Sequence, residues 1–318
     1  MKKMQKRGLL GIEELTTDQI QQILDRARFY QPLETRTGRK LTTLSGRTII
    51  HLFYEASTRT RTSFEIAAKR LGADTISISA EGSSVKKGES LLDTLNTLAA
   101  MRPDAIVMRH SSSGAPHFLA RYLETPIINA GDGTHEHTTQ ALLDALTILD
   151  HKPSLQGLRV AIIGDIMHSR VARSDLHLLT KFGARVVLCG PPPMLPQAFE
   201  CFSPLVERTY KMEEAIAGAD VIMMLRVQLE RQHGHLFASD NEYYRFYGLQ
   251  LEHLQAAKPD AIVMHPGPIN RGRELSSEVA DFPRSVILNQ VENGIAVRMA
   301  VLDLLLAGGG VNVSAGSQ

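Results

Sequence analysis

Residues 53–65 read Phe-Tyr-Glu-Ala-Ser-Thr-Arg-Thr-Arg-Thr-Ser-Phe-Glu, a run crowded with hydroxyl and guanidinium groups. An apolar stretch at 48–53 with strand character precedes it. Phe64, Ala67, Ala68 and Leu71 follow at helical spacing as far as Gly72. Ser57, Thr58, Arg59 and Thr60 are therefore expected where a strand hands over to a helix N-terminus. First-turn N–H groups and the positive end of the helix dipole converge there, which suits a phosphate or another small anion. Arg59 and Arg61 add charge, and a guanidinium grips phosphate oxygens in bidentate fashion. A Ser/Thr helix cap with two surface arginines is the plainer alternative. Consecutive phosphate-suited residues weigh against it.

Other polar clusters would serve the same chemistry. The turn Asn129-Ala-Gly-Asp-Gly-Thr-His-Glu-His137 opens into a helix expected to bury Leu142, Ala145, Leu146 and Leu149 and to end near His151-Lys-Pro153. Glu81-Gly-Ser-Ser-Val-Lys-Lys-Gly-Glu89 carries Ser83 and Lys87, and taken alone it reads as a solvated loop. Arg226-Val-Gln-Leu-Glu-Arg231 follows an apolar run. It suits a second anionic ligand and equally a surface ion pair with Glu230. In His265-Pro-Gly-Pro-Ile-Asn-Arg271 the prolines stiffen a turn that suits carbonyl contacts to a ligand.

The elements that must hold these groups read as alternating β/α units. Arg102-Pro-Asp-Ala-Ile-Val-Met108 and Lys258-Pro-Asp-Ala-Ile-Val-Met264 nearly repeat each other, and Ala219-Asp-Val-Ile-Met-Met-Leu225 resembles both. Each is a short apolar run after a helically spaced segment, the pattern of buried parallel strands. Further strands are expected at 75–79, 127–129, 159–163 and 185–189. Polar residues come directly after the strands: Arg109 and His110, Arg226, His265 and Pro266. Open α/β sheets bind ligands at that edge. The expected fold is α/β: two doubly wound parallel-sheet domains joined by bridging helices. The first domain covers 1–137 plus a returning helix and tail at 293–318, the second covers 151–288, and a bridging helix spans 137–150.

Composition sets the bounds. The 318-residue chain is 22% charged and 43% hydrophobic, with a formal net charge of +1. That suits two globular domains of about 150 residues each and gives no overall pull toward nucleic acid or membrane. Cys189 and Cys201 show no CxxC spacing and point to a reducing compartment. The apolar runs are too short to span a bilayer, and the basic start lacks the core of a signal peptide, so a cytoplasmic enzyme is expected.

The Ser-Thr-Arg-Thr-Arg run, the Gly-Asp-Gly turn before His137-x-x-Gln140 and the His-Pro-Gly-Pro turn together resemble the transcarbamoylases over essentially the whole chain. Lys86-Lys87-Gly88-Glu89 and Arg226-Val227-Gln228 are similar to the aspartate-using branch, and the chain lacks the tryptophan-containing motif of ornithine enzymes. The resemblance implies a carbamoyl transfer from carbamoyl phosphate to L-aspartate without a cofactor. It assigns Ser57, Thr58, Arg59, Thr60 and Arg109 to the phosphate. Thr60, Arg109 and His137 then surround the carbonyl oxygen, with Gln140 at the carbamoyl amine. Arg170 and Arg226 take the aspartate carboxylates, assisted by Gln228 and Lys87. Pro266, Gly267 and Pro268 border the ligands with backbone carbonyls, and Glu55 and Arg231 form an ion pair between domains. It further implies a homotrimer in which Ser83 and Lys87 reach a neighbouring chain's site, and leaves open a larger assembly with regulatory or dihydroorotase chains. One departure is Thr138, where the family usually has a proline, whose fixed φ suits a first helical turn.

Other functions fit less well. Residues 164–169 contain one glycine, so the dinucleotide pattern GxGxxG is absent. His135, His137, His233 and His235 form two His-x-His pairs without an accompanying carboxylate pattern, and no metal site is expected from them. An ornithine-using relative and a noncatalytic homologue that scaffolds a partner enzyme remain as alternatives.

Overall fold

The computed structural model describes residues 8–34, 41–79, 90–227 and 240–307. The chain divides into two compact units, Met1–Leu142 with Glu292–Gln318, and Leu143–Val291. Ser83, Lys87, Gln228, Arg231, His233, His235 and the tail at 308–318 lie outside the described residues.

The first unit alternates β1 (Gly8–Leu9), α1 (Thr17–Glu34), β2 (Thr48–Phe53), α2 (Thr58–Arg70), β3 (Asp74–Ser79), α3 (Leu91–Ala100), β4 (Ala105–His110), α4 (Ala115–Leu119) and β5 (Ile127–Asp132). α5 (Thr138–His151) then carries the chain into the second unit. There follow β6 (Arg159–Ile163), α6 (Arg170–Lys181), β7 (Arg185–Cys189), β8 (Val206–Thr209), α7 (Met212–Ile216), β9 (Val221–Met224), α8 (Asp240–Tyr247), β10 (Ile262–Met264) and α9 (Ser277–Ala280). α10 (Ile287–Leu306) returns the chain to the first unit.

Both sheets are parallel throughout, in the orders β1-β5-β4-β2-β3 and β10-β9-β6-β7-β8. Their central strands are apolar runs because helices cover both faces. β2 and β4 are buried almost end to end. The stripe Phe64, Ala67, Ala68 and Leu71 is fully buried, and Gly72 ends the helix at φ 86° as its spacing predicts.

Several boundaries differ from the sequence expectation. Arg109 and His110 belong to β4 itself, which starts at Ala105 rather than 102. β5 continues to Asp132, and Leu149 is only half-buried. α10 begins at Ile287 instead of 293. Leu288 is 77% exposed and Val291 50%, which breaks the apolar stripe that would have marked its first turns. α1 and the short strands β1 and β8 carry too little pattern to have been anticipated.

Buried polar groups give the first unit a measurable pH response. His51 on β2 is fully buried, with Ser77 Oγ 3.5 Å from Nδ1 and the Phe64 ring 6.3 Å away. Burial, helped by Lys69 and Arg61 and opposed by Glu65, pushes the imidazole from 6.5 down to about 4. Between these values the unfolded chain binds a proton that the native chain does not, so stability rises with pH across that window. The contribution is complete above about pH 6.5 and lost as pH falls toward 4, on the order of 3 kcal/mol. Urea unfolding from pH 4 to 7 should show this slope in the parent and a flatter one in His51→Asn. Equal slopes would remove His51 as the cause.

Candidate active site

In a parallel sheet whose strand order reverses, the loops on either side of the reversal leave a crevice at the carboxyl edge. The first unit reverses between β2 and β4, where Phe53 pairs with Arg109 and Tyr54 N donates to Arg109 O at 2.9 Å. The chain leaving β2 turns at once into α2. Ser57 occupies the cap position with φ −160° and ψ 92°, but its hydroxyl donates to Thr60 Oγ1 at 3.0 Å and makes no capping bond. The i→i−4 ladder opens with Arg61 N to Ser57 O at 3.1 Å. The amides of Thr58, Arg59 and Thr60 thus precede the ladder, as an anion-binding N-terminus requires. Thr58 and Arg59 are exposed and Thr60 is buried. The simple helix-cap alternative lacks its capping bond.

Arg109 sits beside this N-terminus, at the place where the β4–β5 register slips between Met108 and His110. The residue is 8% exposed, with Nη2 donating to Glu55 Oε1 at 2.6 Å and Nη1 to Ala130 O at 3.4 Å. Glu55, assigned by resemblance to Arg231, therefore pairs with Arg109 in this structure.

The turn after β5 is built on Asp132. Its fully buried carboxylate accepts from Asn129 Nδ2 at 2.8 Å, Gly114 N at 2.6 Å, Glu136 N at 3.1 Å and His135 Nδ1 at 3.0 Å. Burial opposes its charge, yet the bonds from His135, Asn129 and Gly114 prevail and hold it below the usual carboxylate range. Gly133 turns the chain at φ 46°, where a side chain would meet Ser113 Oγ at 2.4 Å. Glu136 accepts from the amides of Ile12 and Glu13 at 2.9 and 3.1 Å. So fixed, the turn delivers His137 and Gln140, both buried, onto the start of α5. Thr138 fills the expected proline position, and its hydroxyl donates to Leu10 O at 3.4 Å, a bond no proline makes.

The second unit reverses between β6 and β9. After β6, Asp165 accepts from His168 N and Nδ1 at 3.2 and 2.8 Å, and Ser169 caps α6 through Ala172 N at 3.1 Å. This sets Arg170, only 3% exposed, at the helix start. Gly164 precedes the turn at φ 136°, where a Cβ would meet Leu225 and Tyr243 at 3.0–3.2 Å. Arg226 follows β9, and the turn with Pro266, Gly267 and Pro268 follows β10. The Gly267–Pro268 bond is cis. Glu274 ties these two segments together, accepting from Val227 N at 3.2 Å, Asn270 N at 2.9 Å and Asn270 Nδ2 at 2.8 Å. It is fully buried, and desolvation outweighs those bonds and raises its carboxyl above the ordinary value. Asp144 Oδ1 accepts from Gln290 Nε2 at 2.6 Å, and Gln290 Oε1 accepts from His265 N at 2.9 Å, which fixes the turn from its other end.

The expected groups thus gather at the carboxyl edge of each sheet: Ser57, Thr58, Arg59, Thr60, Arg109, His137 and Gln140 in the first unit, and Arg170, Arg226 and 266–268 in the second. Sequence reasoning missed the residues that hold them. Asp132 lay within a turn already singled out, whereas Glu274 and Gln290 carry no local signal.

The residues match two family models. These are the carbamoyl-P binding domain of aspartate/ornithine carbamoyltransferase over residues 7–150 and its Asp/Orn binding domain over residues 156–305. The chain is 73% identical over 299 residues to the aspartate carbamoyltransferase catalytic subunit of Solibacter usitatus, covering 94% of this chain and 99% of that one. It is 57% identical over 302 residues to that of Syntrophotalea carbinolica, covering 95% and 96%. A Trypanosoma cruzi aspartate transcarbamoylase in complex with carbamoyl aspartate and phosphate superposes with a TM-score of 0.86 at 33% identity, covering 95% and 96%. An ornithine carbamoyltransferase from Pyrococcus furiosus does so with 0.86 at 30%, covering 98% and 100%.

Replacing Glu274 by Ala would leave the buried amides of Val227 and Asn270 without their acceptor. Unfolding free energy in urea should fall by about 2–4 kcal/mol. A loss below about 0.5 kcal/mol would mean that the two segments hold without it.

Proposed function

The chain belongs to the aspartate/ornithine carbamoyltransferase family, and from this we propose that it transfers the carbamoyl group of carbamoyl phosphate to the amine of L-aspartate, giving N-carbamoyl-L-aspartate and phosphate. The observation that carries the reading is the β2–β4 reversal, which sets an arginine-bearing helix N-terminus beside Arg109. Identity to named aspartate carbamoyltransferase catalytic subunits supports aspartate as the acceptor over ornithine. The product belongs to de novo pyrimidine synthesis.

The amine attacks the carbamoyl carbon, a C–N bond forms and the C–O bond to phosphate breaks. Negative charge grows on the carbonyl oxygen and on the departing phosphate, so donors fixed at both places lower the barrier most. Ser57, Thr58, Arg59, Thr60 and Arg109 hold the phosphate. Thr60, Arg109 and His137 stabilise the carbonyl oxygen, His137 as a hydrogen-bond partner and not as a nucleophile. Gln140 takes the carbamoyl amine. Arg170 and Arg226 grip the two carboxylates of aspartate with Gln228 and Lys87, while Pro266, Gly267 and Pro268 offer backbone carbonyls. In this reading the first unit is the carbamoyl-phosphate domain and the second the aspartate domain. The chain acts in the cytoplasm as a homotrimer, with Ser83 and Lys87 supplied by a neighbour. The name catalytic subunit among its relatives supports a multi-chain assembly, and regulatory or dihydroorotase chains are the partners to look for. No helix of the described residues is long and apolar enough to cross a membrane.

Arg59→Ala should lower turnover by roughly two orders of magnitude, the scale for losing a preorganised charge-stabilising donor, with the fold intact by circular dichroism. Near-normal turnover would reduce the run 57–60 to a structural cap. In parallel assays L-aspartate should far exceed L-ornithine as acceptor, and the reverse would remove Arg226 and Lys87 from the acceptor site.

For the shared site, inactive Arg59→Ala and Lys87→Ala proteins can be mixed and their chains reassorted. Activity should reappear in mixed trimers, where some interfaces pair an intact Arg59 with an intact Lys87. Mixed trimers that stay inactive would confine the lysine to its own chain.

A further inference from the structure

We propose that His117, Asp132 and His135 form a divalent-metal site in the first unit, suited to zinc or another first-row ion that favours imidazole. The three residues come from α4, from the end of β5 and from the turn that follows it. One ligand-capable atom from each lies within 4.8 Å of the other two. Two imidazoles and a carboxylate make the donor set of zinc sites that keep an open position for water.

The surroundings prepare each ligand. Glu14 Oε1 lies 3.3 Å from His117 Nε2, and a neutral ring with its proton on that nitrogen would offer Nδ1 to an ion. This Nδ1 is buried and has no hydrogen-bond partner. A bare acceptor nitrogen out of water is a cost that a metal ion removes. Asp132 is held rigid by Gly114 N, Asn129 Nδ2 and Glu136 N, the kind of outer contacts that orient a ligating carboxylate. His135 Nδ1 is 3.0 Å from Asp132 Oδ2. Neighbouring ligands of a tetrahedral zinc stand about 3.3 Å apart, from bonds of about 2.0–2.1 Å. For this pair an ion that replaces the shared proton needs a shift of a few tenths of an ångström, while the His117 nitrogen, within 4.8 Å of the other two ligand atoms, closes in by up to about 1.5 Å. The two rings meet edge to face with centroids 5.2 Å apart. His117 and His135 side chains are 23% and 34% exposed, which gives an ion an approach from solvent. A bound ion would staple α4 to the turn that leads to His137. The site stands independently of the carbamoyl-transfer reading.

The test uses the full chain without a polyhistidine tag, stripped with a chelator. It is titrated with zinc by calorimetry and with cobalt(II), whose visible ligand-field bands report nitrogen and oxygen coordination. One ion per chain is expected, with a zinc-dependent rise in melting temperature. His117→Ala and His135→Ala should each weaken binding about 100-fold or more, beyond the usual cost of losing an outer-shell partner, and abolish the thermal shift. Where an alanine variant fails to fold, His117→Asn or His135→Asn takes its place. His253→Ala, elsewhere in the chain, should bind as the parent does. Failure of the stripped chain to take up zinc, or parental affinity in both ligand variants, overturns the site.

Discussion

Parallel strands cannot be joined by tight turns, so each must be followed by a crossover that returns the chain to the opposite end of the sheet. Every strand then releases its chain at the same edge, and a reversal of strand order sends neighbouring crossovers to opposite faces. In this protein the reversals fall between β2 and β4 and between β6 and β9. Segments far apart in the chain, such as 57–60 and Arg109, or Arg170 and Arg226, are brought to the same edge by that constraint. Short polar segments there can change without disturbing the apolar strands beneath them.

A crevice made of loops still needs its backbone held, and buried carboxylates do that here. Asp132, Glu136 and Glu274 all accept from main-chain amides, and charge-assisted bonds of this kind are about twice as strong as neutral ones. Their environments divide them. Donors around Asp132 outweigh its desolvation and hold its carboxyl below the usual range, whereas burial prevails at Glu274 and raises its carboxyl above it. Both serve the site by fixing turns, since a misplacement of about 1 Å in a positioned group costs large factors in rate.

Charge compensation appears where phosphate chemistry would be done. Arg109 is nearly buried, and an unpaired guanidinium there would be costly, so its bond to Glu55 neutralises it. In the proposed reaction a dianion arriving at the N-terminus of α2 would compete with that carboxylate for the same cation. Thr138 shows a different compensation: it gives up the preset φ of a proline and gains a bond to the main chain near the start of β2's unit, at Leu10.

Much of this was legible in the residues themselves. Apolar runs of strand length, the stripe ending at Gly72 and the hydroxyl–arginine run at 57–61 follow from local spacing, so the α/β class and the anion-suited N-terminus could be read directly. The transcarbamoylase motifs then named the remaining candidates by resemblance. Three things depended on tertiary structure. The extension of β4 through Arg109 and His110 rests on pairing with β2 and β5, which no local pattern encodes. The early start of α10 was hidden because Leu288 and Val291 face solvent. Most of all, the partners of Asp132, from Gly114 to Glu136, and those of Glu274, from Val227 to Asn270, lie 3 to 47 residues away along the chain. A hydrogen bond is decided by where the folded backbone puts donor and acceptor, and spacing along the chain does not carry that information.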